Sequence, residues 1–228
     1  VKPYEIISLP GVTPFAEVME LQEALLVKRI QDEIPDTLIF CEHTPVITRG
    51  RGLQKVEGRD ARAMPLLAIP SGTDYVDTSR GGDLTWHGPG QLVLYPIVKL
   101  GGDGLIGKKV GQDINAYLRF LETIFIQLLS QFEIEASSKP NGSGVWIGDQ
   151  KIASVGIALR KWVSYHGIAF NVVNDLNAFY SFDPCGFNPN VMTTLAANPR
   201  IPRPLLQSDW RTQWESLIQL SIQRSVLA

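Results

Sequence analysis

Apolar positions along the chain change period several times, and each change marks an element. Residues 4–9 (YEIISL) alternate well enough for a strand. After Pro14 the run FAEVMELQEALLVKRIQDEI puts Val18, Leu21, Leu25 and Ile30 near helical spacing, with Pro35 ending the pattern. TLIFCEH (37–43) reads as a buried strand closed by Pro45, and residues 49–64 as a loop-like mixture. YVDT and LVLYPIV predict two strands with a glycine-heavy turn between them. Over residues 111–132, Ile114, Leu118, Leu121, Phe125 and Leu128 keep the 3.6-residue period of a helix. GVWI, a Gly-Asp turn and KIASVGIAL predict a hairpin, WVSYHGIAFNV a further strand, and residues 208–227 a C-terminal helix.

Strand blocks separated by helices, with hairpin-like consecutive strands, indicate an α/β (α+β) protein with a mixed or antiparallel sheet and flanking helices. No repeat or linker divides the sequence, so residues 1–228 are expected to form a single domain. Apolar residues at 44% and charged ones at 19% fit a globular chain. The net charge of −2 gives no general case for nucleic-acid binding. No run is long and apolar enough for a membrane span, and the opening VKPYEIISLPG lacks a signal-peptide pattern. A cytoplasmic location is expected. Two cysteines, Cys41 and Cys185, are too few for a disulfide framework and suit a reducing compartment.

Two nucleotide motifs fail on single residues. GGDGLIGKK nearly spells a phosphate-binding loop, but Lys109 stands where a magnesium-holding hydroxyl is needed, leaving a solvated turn before a helix. NGSGVWIG offers Ile147 where a dinucleotide fingerprint needs glycine. Cys41, His43, His87, His166 and Cys185 are too scattered for zinc spacing, so no metal or other cofactor is expected.

Three segments carry chemistry. Arg80 through Gln91 holds five glycines or prolines in twelve residues, which lets backbone approach a ligand, and brings Arg80, Thr85, His87 and Gln91 to the same stretch. Cys185 lies between Pro184 and Gly186, in a turn where its sulfur can be reached, whereas Cys41 in TLIFCEH has the setting of a buried small hydrophobe. A thiol with an ordinary pKa of about 8.5 needs a nearby cation or base to act as a nucleophile at neutral pH. Lys151, at the hairpin turn before an apolar strand, is the candidate.

These segments resemble the lipoyl(octanoyl) transferase family. Arg80-Gly81-Gly82, Thr85-Trp86-His87 and Gln91 through Tyr95 match its signature, Gly148 through Gly156 its lysine segment, His166 through Val172 its next strand, and Pro184-Cys185-Gly186 its nucleophile loop. Glu42 through Val46 is similar as well, so the matches run in order from about residue 40 to 190. The resemblance implies the fold of biotin and lipoate protein ligases. It also implies transfer of octanoyl from acyl carrier protein to a lysine of a lipoyl domain, with Cys185 carrying the acyl thioester and Lys151 assisting proton transfer. Arg80, Gly81, Gly82, Asp83, Leu84, Thr85, Trp86 and His87 would line the acyl site, with Ser154, Val155, Gly156, Gly167, Ile168 and Ala169. The implied acceptors are lipoyl domains of 2-oxoacid dehydrogenase acyltransferase subunits and the glycine cleavage H protein.

Three rivals give different expectations. An ATP-dependent lipoate or biotin ligase on the same fold would need an adenylate site and no nucleophilic cysteine. A cysteine amidase or thioesterase would pass the acyl group to water, and a non-catalytic carrier-binding module would make Cys185 dispensable. The basic residues Arg49, Arg51, Lys55, Arg59 and Arg62, against Glu57 and Asp60, suggest a loop that steers an acidic carrier protein.

Overall fold

The computed structural model describes residues 4–53, 69–140, 142–182 and 189–227. Nine strands form two mixed sheets. The larger has the order β1 (Glu5–Thr13), β2 (Thr37–His43), β6 (Gln91–Ile97), β9 (Val163–Asn171), β8 (Gln150–Arg160), β7 (Gly144–Ile147). Only β1 and β2 pair in parallel; the other neighbours in this sheet are antiparallel. The smaller sheet has β3 (Val46–Arg49) in the middle, parallel to β4 (Asp74–Asp77) and antiparallel to β5 (Leu84–His87).

The central strands are buried on both faces, and their alternation sorts side chains between two cores. Leu38 and Phe40, Leu92 and Leu94, and Ile168 and Phe170 join one cluster; Ile39 and Cys41, Val93 and Tyr95, and Ala169 join the other. Helix α3 (Ile114–Ser130) covers the first face with Tyr117, Leu121, Ile124, Phe125 and Leu128, and α4 (Trp210–Leu227) adds Trp214, Ile218 and Ile222. Helix α1 (Phe15–Ile30) packs Val18 and Leu26 on the second. Each such side chain removes apolar area worth about 1.5–3 kcal/mol. The Asp113 carboxylate caps α3 by accepting from the Asn115 and Ala116 amides at 2.8 and 3.0 Å.

Among the elements the structure adds to the expected set are β3, most of it between Pro45 and the loop read from residue 49, and β5, in the stretch read as a glycine-heavy turn. The GGDGLIGKK stretch contains a short helix, α2 (Leu105–Val110), that buries Ile106 and Val110, in place of a solvated turn. No helix among the described residues is long and apolar enough to cross a membrane.

Candidate active site

Glycines let two loops cross against the end of β8. The amides of Gly50, Arg51 and Gly52 donate to the carbonyls of Asp83, Arg80 and Gly82 at 2.8, 2.9 and 3.0 Å. A Cβ on Gly50 would stand 2.2 Å from the Gly82 carbonyl oxygen, so a side chain there would push the loops apart. Arg80 holds the crossing together. Its buried guanidinium donates to the Thr48 hydroxyl and carbonyl and to the Gly81 and Asp83 carbonyls. The Gly81 amide then bonds the Ile157 carbonyl of β8 at 2.9 Å, joining the two sheets.

Beneath this crossing lies a small pocket of about 40 Å³. Of the residues expected at the site, Arg80, Gly81, Gly82, Thr85, His87, Lys151, Ser154, Val155, Gly156, Gly167, Ile168 and Ala169 line it. Gly156 and Gly167 are register partners, so the wall carries no side chain at that step of the β8–β9 ladder. Phe15, Val93, Tyr95 and His166 complete the lining. An outer cleft of about 380 Å³ adjoins the pocket, lined by Asp83, Ile114 and Ser143 among others. The two share Gly81, Gly82, Lys151, Val155 and Gly156.

Leu84 and Trp86 fall elsewhere. Strand β5 alternates, so while Thr85 and His87 face the pocket, Leu84 and Trp86 pack with Ile47, Phe179, Phe182 and Met192 in a third cluster. Cys41 is fully buried on β2, and burial pushes its thiol far up, in line with the setting read for it. Cys185 lies outside the described residues, as do Lys55, Glu57, Arg59, Asp60 and Arg62. Arg49 forms a two-pronged pair with Asp77, at 2.6 and 2.7 Å.

Lys151 is 3% exposed and borders both the pocket and the cleft. A register shift between Val145 and Trp146 makes Ile152 an extra residue on β8, the kind of bulge that re-aims neighbouring side chains. The Lys151 ammonium sits 5.5 Å from the centre of the Trp146 ring, which Lys139 approaches at 4.5 Å. Its carbonyl accepts from the Thr193 amide at 3.0 Å.

Another part of the pocket's surroundings is rich in imidazole. His43 stands behind the lining and bonds the Thr13 carbonyl through Nδ1 at 3.1 Å, so Nδ1 carries the proton and Nε2 accepts from the Tyr95 hydroxyl at 2.8 Å. His87 Nδ1 donates to the Gln91 side-chain oxygen at 2.7 Å, and Gln91 passes the chain on to Asn171. His166 contacts the Ser79 hydroxyl through Nε2. Burial drives all three imidazoles toward the neutral form, His43 to about 4, His166 to about 3 and His87 well below its ordinary value. The Arg80 charge reinforces this at His87 and His166.

Comparison with known proteins places this arrangement. The lipoyl protein ligase A/B catalytic domain profile matches residues 14–203. The chain belongs to that family. It is 41% identical over 188 residues to the octanoyltransferase of Rubrobacter xylanophilus, covering 82% of this chain and 80% of that one. The octanoyltransferase of Geobacter metallireducens is 37% identical over 195 residues, covering 86% and 84%. Among solved structures, a lipoate-protein ligase A bound with ATP superposes with a TM-score of 0.69 at 16% identity, over 97% of this chain and 85% of the other. A bi-partite lipoate protein ligase from Thermoplasma acidophilum gives 0.55 at 14%, over 97% and 80%. At that distance the superpositions establish the mixed-sheet fold of lipoate ligases.

Proposed function

We propose that this chain transfers an octanoyl group from the thioester of an acyl carrier protein to a lysine amine of a lipoyl domain, through a thioester on Cys185. The observation that carries the reading is Lys151, a buried primary amine where a glycine-walled pocket meets an outer cleft. Relatives named as octanoyltransferases support the choice of acyl group.

The proton count closes over two half-reactions. Cys185 thiolate, paired with Lys151 ammonium, attacks the octanoyl carbonyl. The new carbon–sulfur bond forms as the carrier thiolate leaves and takes a proton from Lys151. The acceptor amine then attacks the Cys185 thioester and gives its proton to neutral Lys151, and Cys185 departs as thiolate. The starting pair is restored with no further reagent. In this reading residues 1–228 act as one catalytic domain. The acceptors are lipoyl domains of 2-oxoacid dehydrogenase acyltransferase subunits and the glycine cleavage H protein.

Intact-mass measurement after incubation with octanoyl carrier protein, without ATP or magnesium, tests the reading. A hydroxylamine-labile octanoyl adduct is expected on the wild type and on Cys41→Ala, and none on Cys185→Ala. Modification of a lipoyl domain only with free octanoate and ATP would move the chain to the ligase class.

A further inference from the structure

Helix α3 is apolar on its buried side except at Glu122, which is 6% exposed. Its carboxylate accepts from the Gly144 amide at 2.8 Å. Gly144 in turn lies against the lysine stem: a Cβ there would stand 2.7 Å from Lys151 Cε and 2.1 Å from the Ala153 carbonyl oxygen. One glycine thus bridges a buried acid and a buried base, held at a φ of +143° that side chains rarely adopt.

We propose that Glu122 is a positioning residue for Lys151, fixing the Gly144 backbone against the lysine stem and supplying the negative charge that holds the ammonium form. The proposal rests on Lys151 being the proton-transfer group. An ordinary helix position has no use for a buried carboxylate, because burial alone disfavours its charge. Burial pushes Glu122 up, while the Gly144 amide, Arg119 and Lys151 act in the opposite direction. Among the described residues, the charged groups facing this corner are Arg119 from α3, Lys151 from β8 and, across the Trp146 ring, Lys139, which pairs with the exposed Asp149 at 2.9 Å; Asp83 lines the outer cleft that Lys151 borders. Glu122 is the buried acid among them.

The role fits the cycle. Lys151 begins as an ammonium, gives a proton to the departing carrier thiolate, and takes one back from the acceptor amine. A fixed negative charge keeps the resting state protonated. Its removal therefore moves the alkaline limb of the acylation profile, set by Lys151, to lower pH.

Glu122→Gln keeps an oxygen for the Gly144 amide and removes the charge. The expected result is a shift of the alkaline limb of the pH profile of kcat/KM for octanoyl carrier protein to lower pH by about one unit. Glu122→Ala should show that shift and a lower kcat, because Gly144 loses its partner. A wild-type pH profile for Glu122→Gln would reduce Glu122 to a structural acceptor and overturn the proposal, whatever Glu122→Ala does. Lys151→Ala, run alongside, separates the two ideas: undiminished transfer there sinks the proton-transfer reading itself.

If Glu122→Gln does not fold, the coupling is read in a Cys185→Ala background by adding Lys151→Met. Without its cation the Glu122 carboxylate is harder to ionise in the fold, so Lys151→Met should lower the unfolding midpoint increasingly as pH rises from 5 to 7. A midpoint difference that is constant across that range would also overturn the proposal.

Discussion

Around the pocket His43, His87 and His166 are buried among hydrogen-bond partners, and Lys151 is buried with the Glu122 charge acting on it. Both sets have lost water, but they respond differently because the groups start from different places. An imidazole titrates near neutrality, so burial simply leaves it uncharged. An alkyl ammonium is far from its titration at pH 7, so a buried one calls for a carboxylate within reach. The histidines, which elsewhere are the usual acid–base groups, here form a neutral wall. With His43 near 4 and His166 near 3, neither changes charge at neutral pH. In the proposed mechanism proton transfer falls to Lys151.

The largest effect should come from removing the lysine. Lys151→Ala is expected to slow octanoyl transfer by on the order of 10³-fold, the scale of a lost general acid–base. Lys151→Arg keeps the charge but stays protonated, so it should retain an acidic Cys185 thiol while turning over slowly. His87→Gln should stay within about tenfold of wild type, since His87 only hands a hydrogen bond to Gln91. Steady-state rates with carrier and lipoyl domain decide the matter. A collapse in His87→Gln equal to that in Lys151→Ala would erase the distinction between wall and machinery.

Two glycines of the same hairpin sharpen the contrast at lower amplitude. Gly144→Ala drives a methyl group into Lys151 Cε and the Ala153 carbonyl, so kcat should fall by about 10- to 100-fold, with about 1–3 kcal/mol of destabilisation. Gly148 also has a positive φ, 58°, but no atom lies within 4 Å of its absent Cβ. Gly148→Ala should therefore cost about 1 kcal/mol of backbone strain and leave kcat unchanged. Thermal unfolding and kcat measured on both variants check this, and equal losses of kcat would mean that the hairpin turn, not the lysine stem, is being sensed.

How much of this was legible depends on how local each signal is. The β7–β8 hairpin and α3 follow from a Gly-Asp turn and a 3.6-residue period, both contained within one stretch of chain. Strand β3 is different: its parallel partner β4 starts at Asp74, and no turn marker links strands so far apart in sequence. Residues 80–91 announce a ligand-approaching loop by their glycines, yet those same glycines conceal the four-residue strand β5. Its alternation sends Thr85 and His87 to the pocket but Leu84 and Trp86 to a satellite core. Phe15, Val93 and Tyr95 were missed because a pocket wall made of apolar and aromatic residues reads like core. Glu122 did leave a trace, as a lone acid on the buried side of the helical run INAYLRFLETIFIQLLS. Its meaning depends on Gly144, which only the fold brings near.

A small effect on activity, and the most direct test of the neutral wall, concerns acid stability. His43 ordinarily titrates at 6.5 and sits at about 4 in the fold because burial removes water from its ring. Between those values the unfolded chain binds a proton that the folded chain refuses, so stability rises with pH. Stability contributed by the neutral imidazole is thus fully present above 6.5 and is lost as pH falls toward 4. A gap of that size corresponds to about 3 kcal/mol. His43→Gln has no titrating ring, so its unfolding free energy should follow a shallower course through this window. Urea unfolding at several pH values would show the wild-type advantage shrinking by about that amount from pH 7 to pH 4. The acylation rate at pH 7 should differ by only a few fold, because His43 lies behind Tyr95 rather than against the pocket. If the stability gap between wild type and His43→Gln were flat across the window, His43 would take up its proton in the fold as readily as in the unfolded chain. The histidines would then form no neutral wall at mildly acidic pH, and their contrast with Lys151 would fail.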